Sequence, residues 1–251
     1  MGRIGRLGVR VYGVAAIALG LVGVVSGDFA SVWQPAPATL PGRTILAYVV
    51  AMALIAAGAA IQWRRATRLG VLVLTSLYGL GVLVLHLPLV FAHPLSFPPY
   101  AGVAEQMALV AGGLLAIALT ADLTATTRAR LTKTGEVIFG VCLIAFGTAH
   151  FADLPDTAAY APAWLPPSQM FWAYATGVAH LAAAVAILSG VLARWAARLL
   201  TIMFAGFSLL VHLPHLAADL HSHFNWAANA INFALIGAAW VLTDALDRRD
   251  A

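Results

Sequence analysis

Long apolar runs alternate with short polar breaks along the whole chain. A helix needs about 20 mainly apolar residues to cross the hydrocarbon core of a bilayer, and the sequence offers that length eight times. The runs fall near residues 8 to 27, 44 to 62, 69 to 91, 102 to 121, 135 to 152, 169 to 191, 197 to 217 and 226 to 243. They are continuous and lack the every-second-residue alternation of a membrane barrel strand, and a helix satisfies all its backbone groups internally in lipid. The pattern therefore predicts an all-α, polytopic membrane protein of eight transmembrane helices.

Composition agrees. Of 251 residues, 62% are hydrophobic and 10% charged, too few polar side chains to cover a water-soluble globule. Basic residues add orientation, because Lys and Arg in short loops are retained on the cytoplasmic side. Arg3, Arg6, Arg10, Arg64, Arg65, Arg68, Arg128, Arg130, Lys133, Arg194, Arg198, Arg248 and Arg249 all fall on one face of an eight-span arrangement, and only Arg43 falls on the other. This pattern predicts a multi-pass protein of a bacterial or archaeal cytoplasmic membrane with both termini in the cytoplasm. The net charge of +4 then reflects topology, and no nucleic-acid partner is expected. Cys142 is the sole cysteine and lies in the fifth span, which excludes an internal disulfide or dithiol pair.

The chain also repeats itself. Tyr12-Gly13-Val14 matches Phe139-Gly140-Val141, Ala47-Tyr48 matches Ala173-Tyr174, Arg68 matches Arg194, and His86-Leu87-Pro88 matches His212-Leu213-Pro214, with one single-residue gap in the first outer loop. Two tandem four-helix bundles are predicted: residues 1–122 as a degenerate scaffold, 123–134 as a polar, basic cytoplasmic linker and 135–251 as the half that carries a site. Four is even, so both halves insert the same way up. The first segment has a counterpart at residues 135 to 152, so it reads as a span and not as a cleavable leader. Aromatic residues near the span ends, among them Trp33, Tyr160, Trp164, Trp172 and Trp226 outside and Trp63 and Trp195 inside, read as interfacial belts.

The strings FGTAHF, AYAPAWLPPSQMFWAYATGVAHLAAAVAIL and FSLLVHLPHL in the second half resemble the DoxX family of small four-helix membrane proteins, and the chain looks like a fused pair of such units. The family takes its name from a subunit associated with a terminal quinol oxidase. The resemblance implies a fold and a redox association; it supplies no catalytic residues.

None of the eight histidines falls on the basic face. Ionisable side chains within spans are costly and normally face the bundle interior, which makes them functional candidates. His150, His180 and His212 sit on three successive helices of the second half, where the first half keeps only His86. Helical rise places His150 and His212 level, about 5 to 8 Å inside the outer boundary, and His180 about 18 Å deep. Three chemistries remain open. Imidazoles could bind a transition metal or clamp a haem, serve a quinone by hydrogen bonding, or bond neighbouring helices as packing groups. For a metal, His150, His180, His212, His215 and Asp153 form the candidate ligand set. His86 and His212 each stand two residues before a proline, so a repeated kink also explains them. Glu105 is placed to pair with His86, and Asp28 to end the first helix.

Two functions follow: a redox-associated protein that binds a metal, haem or quinone through these histidines, with other membrane redox subunits as its expected partners, or a non-enzymatic module holding a lipid or apolar small molecule. No acid and base pair, nucleophile elbow or phosphate loop points to a soluble-enzyme chemistry.

Overall fold

A computed structural model describes residues 7–249, so the expectations placed on Arg3 and Arg6 lie outside the described residues. Eight helices among them are long and apolar enough to cross a membrane. They are α1 (Leu7–Ser26), α2 (Arg43–Gln62), α3 (Thr67–Ala92), α4 (Phe97–Thr120), α5 (Ala125–Ala152), α7 (Gln169–Ser189), α8 (Ala193–Ala218) and α9 (His223–Arg249), with a short α6 (Leu154–Tyr160) in the outer loop after α5. The chain is thus a multi-pass α-helical membrane protein.

Several helices start earlier than hydropathy predicts. α4 opens at Phe97 with Pro98 and Pro99 in its first turn, where missing N–H groups cost nothing. α5 reaches back through most of the predicted linker to Ala125, with the Thr124 hydroxyl accepting from Thr127 N–H as an N-cap. The linker is therefore largely helical, and only residues 121–124 are irregular.

The two halves pack against each other. α1 packs against α2 and against α9 of the other half, and α4 packs against α5 in the same way. The eight spans close into a ring through these contacts, with α4 and α9 meeting inside it. Their hydrophobic windows are 61% and 78% buried, the highest shares among the spans. Gly237 permits the α1–α9 contact: a Cβ there would stand 2.6 Å from the Tyr12 Cα. Tyr12 in turn donates its hydroxyl to Leu109 O of α4 at 2.7 Å.

Corresponding helices begin at one common sequence offset: Arg43 and Gln169, Thr67 and Ala193, Phe97 and His223. Each half also carries a widened π turn, Val82–His86 in α3 and Ser208–His212 in α8. Its cause is the same. Pro88 and Pro214 lack an N–H and crowd the carbonyl four residues back, so the preceding turn opens, and the N–H groups of Leu87 and Leu213 reach five residues back to Val82 O and Ser208 O.

Side-chain bonds place the basic residues at one end of the ring. Arg248 Nη1 donates to Leu119 O, Gln62 Nε2 to Arg10 O, and Arg198 pairs with Asp247. At the other end the exceptional cation, Arg43, is paired with Asp28 at 2.8 Å and holds the loop carbonyls of Ala36 and Pro37.

Candidate functional site

A cavity of about 560 Å³ opens at the end of the ring away from the basic residues. α7 contributes Trp172, Ala173 and Thr176, and α8 contributes Met203, Phe207, Leu210, His212 and His215. Tyr160 and Leu165 of the outer loop and Phe224 and Asn225 of α9 complete the wall, and His150 reaches in from α5. The site does not belong to the second half alone, because Trp33 and Glu105 of the first half also line it. Trp33 is buried to 8% exposure, with its ring 5.2 Å from Phe224, so it is an internal plug and no belt residue.

His150 and His180 come together more closely than helical rise predicts, with ring centroids 5.1 Å apart. The reason is stagger between helices. α5 ends two residues after His150, whereas α7 begins seven residues before Thr176 and stands farther out, tied to the loop by Gln169 Nε2 to Ala161 O and Trp172 Nε1 to Pro166 O. Gly177 makes this approach possible, since a Cβ there would lie 2.9 Å from His150 Cβ.

One residue fixes both rings. Thr176 O accepts from His180 Nδ1 at 2.8 Å, and Thr176 Oγ1 lies 3.1 Å from His150 Nδ1. The Thr176 proton is directed to Trp172 O at 2.7 Å, so its oxygen accepts from the His150 Nδ1–H. His215 donates Nδ1–H to Val211 O at 2.8 Å. In each of these three imidazoles the assigned tautomer leaves Nε2 as a lone-pair acceptor. His180 is 2% exposed and sits among Phe146, Phe204 and Phe207, below the cavity and not in its wall.

His212 differs from its counterpart. His86 is 3% exposed and its Nε2 donates to Trp33 O at 3.1 Å, a carbonyl that Gln106 also bonds. The expected His86–Glu105 pair is replaced by this bond, and Glu105 instead faces the Trp33 indole across the cavity wall. The His212 ring faces the cavity, and no hydrogen bond to it forms among the described residues. Only its backbone carbonyl is held, by Asn229 Nδ2 at 2.9 Å.

Along the wide turn of α8 a ladder of amides on α9 adds side-chain donors, two of them to carbonyls, Phe204 O and His215 O, that also accept from Ser208 N–H and Asp219 N–H. Asn225 donates to His215 O, Asn229 to His212 O, and the buried Asn232 to Phe204 O and Ser208 Oγ. Sequence reading missed Asn229 and Asn232. Their signal was present, since positions 225, 229 and 232 share one face of a helix and polar amides in an apolar span need partners.

The expected metal set is not brought together. No group of three His, Cys, Asp or Glu side chains with metal-binding geometry occurs among the described residues, and Asp153 is exposed at the α5–α6 junction, outside the cavity wall. The His150 and His180 rings, with centroids 5.1 Å apart at a 40° tilt, leave no room for a macrocycle between them, while the level pair expected to clamp a haem, His150 and His212, both line the cavity. The surviving arrangement is an apolar cavity with a few hydrogen-bonding groups at fixed places, the usual design of a small-molecule site.

The family model described as DoxX matches residues 135–213, from within α5 to the start of the segment after the wide turn of α8. The matched stretch holds His150, His180 and His212 but ends before His215 and α9. This bears out the DoxX-like resemblance of the second half. Neither a curated protein nor a solved structure matches the chain.

Proposed function

We propose that this DoxX-like membrane protein binds a small apolar molecule bearing hydrogen-bonding oxygens, of the quinol and quinone class, as a redox-associated component of its membrane. The observation that carries the reading is the His212 ring, turned to a cavity and without a partner among the described residues while its repeat counterpart is locked to Trp33 O. The half-buried His212 imidazole lines an apolar cavity with its hydrogen-bonding capacity unspent, and a ligand oxygen is the natural complement. His150 and His215, with Nε2 free to accept, suit the hydroxyls of a reduced ring. The surrounding aliphatic and aromatic wall suits the ring and the start of its tail.

On this reading the basic end is cytoplasmic, both termini lie on that side, and the cavity faces the external side of a bacterial or archaeal cytoplasmic membrane. Other membrane redox subunits sharing the same quinone are the partners it would serve.

Trp33 and Trp172 line the cavity, so their fluorescence tests the proposal. Titration of the purified full chain with a short-chain quinone is expected to give saturable quenching that His212→Gln weakens about tenfold, the scale of one charged or well-aligned hydrogen bond. Quenching that does not saturate, or that the variant leaves unchanged, contradicts it. A second reading, a holder of lipid without redox chemistry, draws on the mainly apolar wall. It predicts co-purified lipid that quinone fails to displace.

A further inference from the structure

A second cavity, of about 460 Å³, lies at the basic end, where α4 ends, α5 begins and α9 ends. Its wall sets three cations, Arg128, Lys133 and Arg248, against one carboxylate, Glu136. Leu119 and Ala245 are among its apolar lining. We propose that this cavity binds the phosphodiester headgroup of an anionic lipid.

Charge comes first. The wall carries more cations than carboxylates, and Lys133 Nζ approaches Glu136 Oε2 only to 3.9 Å. Positioning comes second. Arg248 is held by Leu119 O at 3.1 Å and Arg128 by Leu123 O at 3.5 Å. The Leu123 partner is a neutral carbonyl, which orients the Arg128 guanidinium without cancelling its charge, whereas Arg248 also interacts with the Asp244 carboxylate. Third, Arg128 Nε is buried and has no hydrogen-bond partner. An arginine fork with an unused N–H suits a phosphate oxygen. The apolar part of the wall then suits the first carbons of the acyl chains, and basic recesses between spans are where anionic headgroups bind. The cavity also lies at the seam between the halves, because α4 and α9 meet there with α5, so a bound lipid would fasten the ring at one of its joints.

The test is native mass spectrometry of the full chain with phosphatidylglycerol or phosphatidylcholine, together with thermal unfolding in inorganic phosphate. Phosphatidylglycerol is expected to be retained in preference to phosphatidylcholine, and Lys133→Gln and Arg128→Gln are each expected to reduce that retention about fivefold. Lys133 is exposed, so its variant keeps the test valid if the Arg128 variant unfolds. Equal retention of the two lipids, or retention that Lys133→Gln leaves unchanged, overturns the proposal. Stabilisation by inorganic phosphate that the lipid does not reproduce overturns it in favour of a soluble phosphate ester.

Discussion

The imidazole of His86 donates to the backbone carbonyl of Trp33 at 3.1 Å, and this bond separates two histidines that the repeated His-Leu-Pro string presents as equivalents. His86→Ala opens a void in a buried place and strips a donor from Trp33 O, so unfolding stability is expected to fall by about 2 to 4 kcal/mol. His212→Ala removes a ring that faces a cavity, and its cost is expected to stay within about 1 kcal/mol. Thermal unfolding of the two variants in the same detergent checks the contrast, and equal losses would erase the distinction.

Thr176 positions two rings through different atoms. Thr176→Val keeps the shape and the carbonyl that holds His180 but deletes the oxygen that fixes the His150 tautomer. Quinone affinity is expected to drop about fivefold to tenfold while the unfolding temperature moves little, as for loss of an orienting hydrogen bond. A variant that binds normally would show that His150 does not take part.

Asn232 is buried and serves Phe204 O and Ser208 Oγ on the wide turn of α8. Asn232→Leu removes the amide that ties α9 to the turn, although Phe204 O keeps its Ser208 N–H donor, and a loss of about 1 to 2 kcal/mol is expected. Faster amide exchange confined to residues around Ser208–His212 would mark the turn as the part released. Unchanged exchange there would mean that the turn holds without the ladder.

Asp28 lies outside the spans and pairs with Arg43. Burial raises its carboxyl pKa, but hydrogen bonds from Arg43 and Phe29 N–H, with the charges of Arg43 and His223, lower it further and leave it below the ordinary carboxylate value. A depressed folded value means that the pair stabilises above the ordinary pKa and is lost as pH falls through the lower, folded one. The site is partly exposed, so the contribution is about 0.5 kcal/mol. Asp28→Asn is expected to lower the unfolding temperature slightly at neutral pH and to converge with the parent in acid. A gap that persists in acid would assign the effect to packing.

The spans were legible because hydropathy along one chain reports what lipid demands of each segment. Their first turns were not, since Thr124 and Pro98 start helices by capping and proline geometry instead of by apolarity. The His150–His180 contact was hidden for another reason: depth counted from each helix end ignores the stagger between α5 and α7. Trp33 was placed at the interface by its position in the sequence, yet its backbone carbonyl answers His86 and Gln106 and draws it inside. Ring closure through the α1–α9 contact is a long-range property that the repeat alone does not specify.

Photolabelling with an azido-quinone, followed by peptide mapping of the full chain, tests the central claim most directly. Label is expected on cavity residues such as Trp172, Met203 and Phe207, and excess unlabelled quinone should remove it. Label confined to exposed positions outside the cavity wall such as Leu199 and Ile202, or label that competitor leaves untouched, would contradict it.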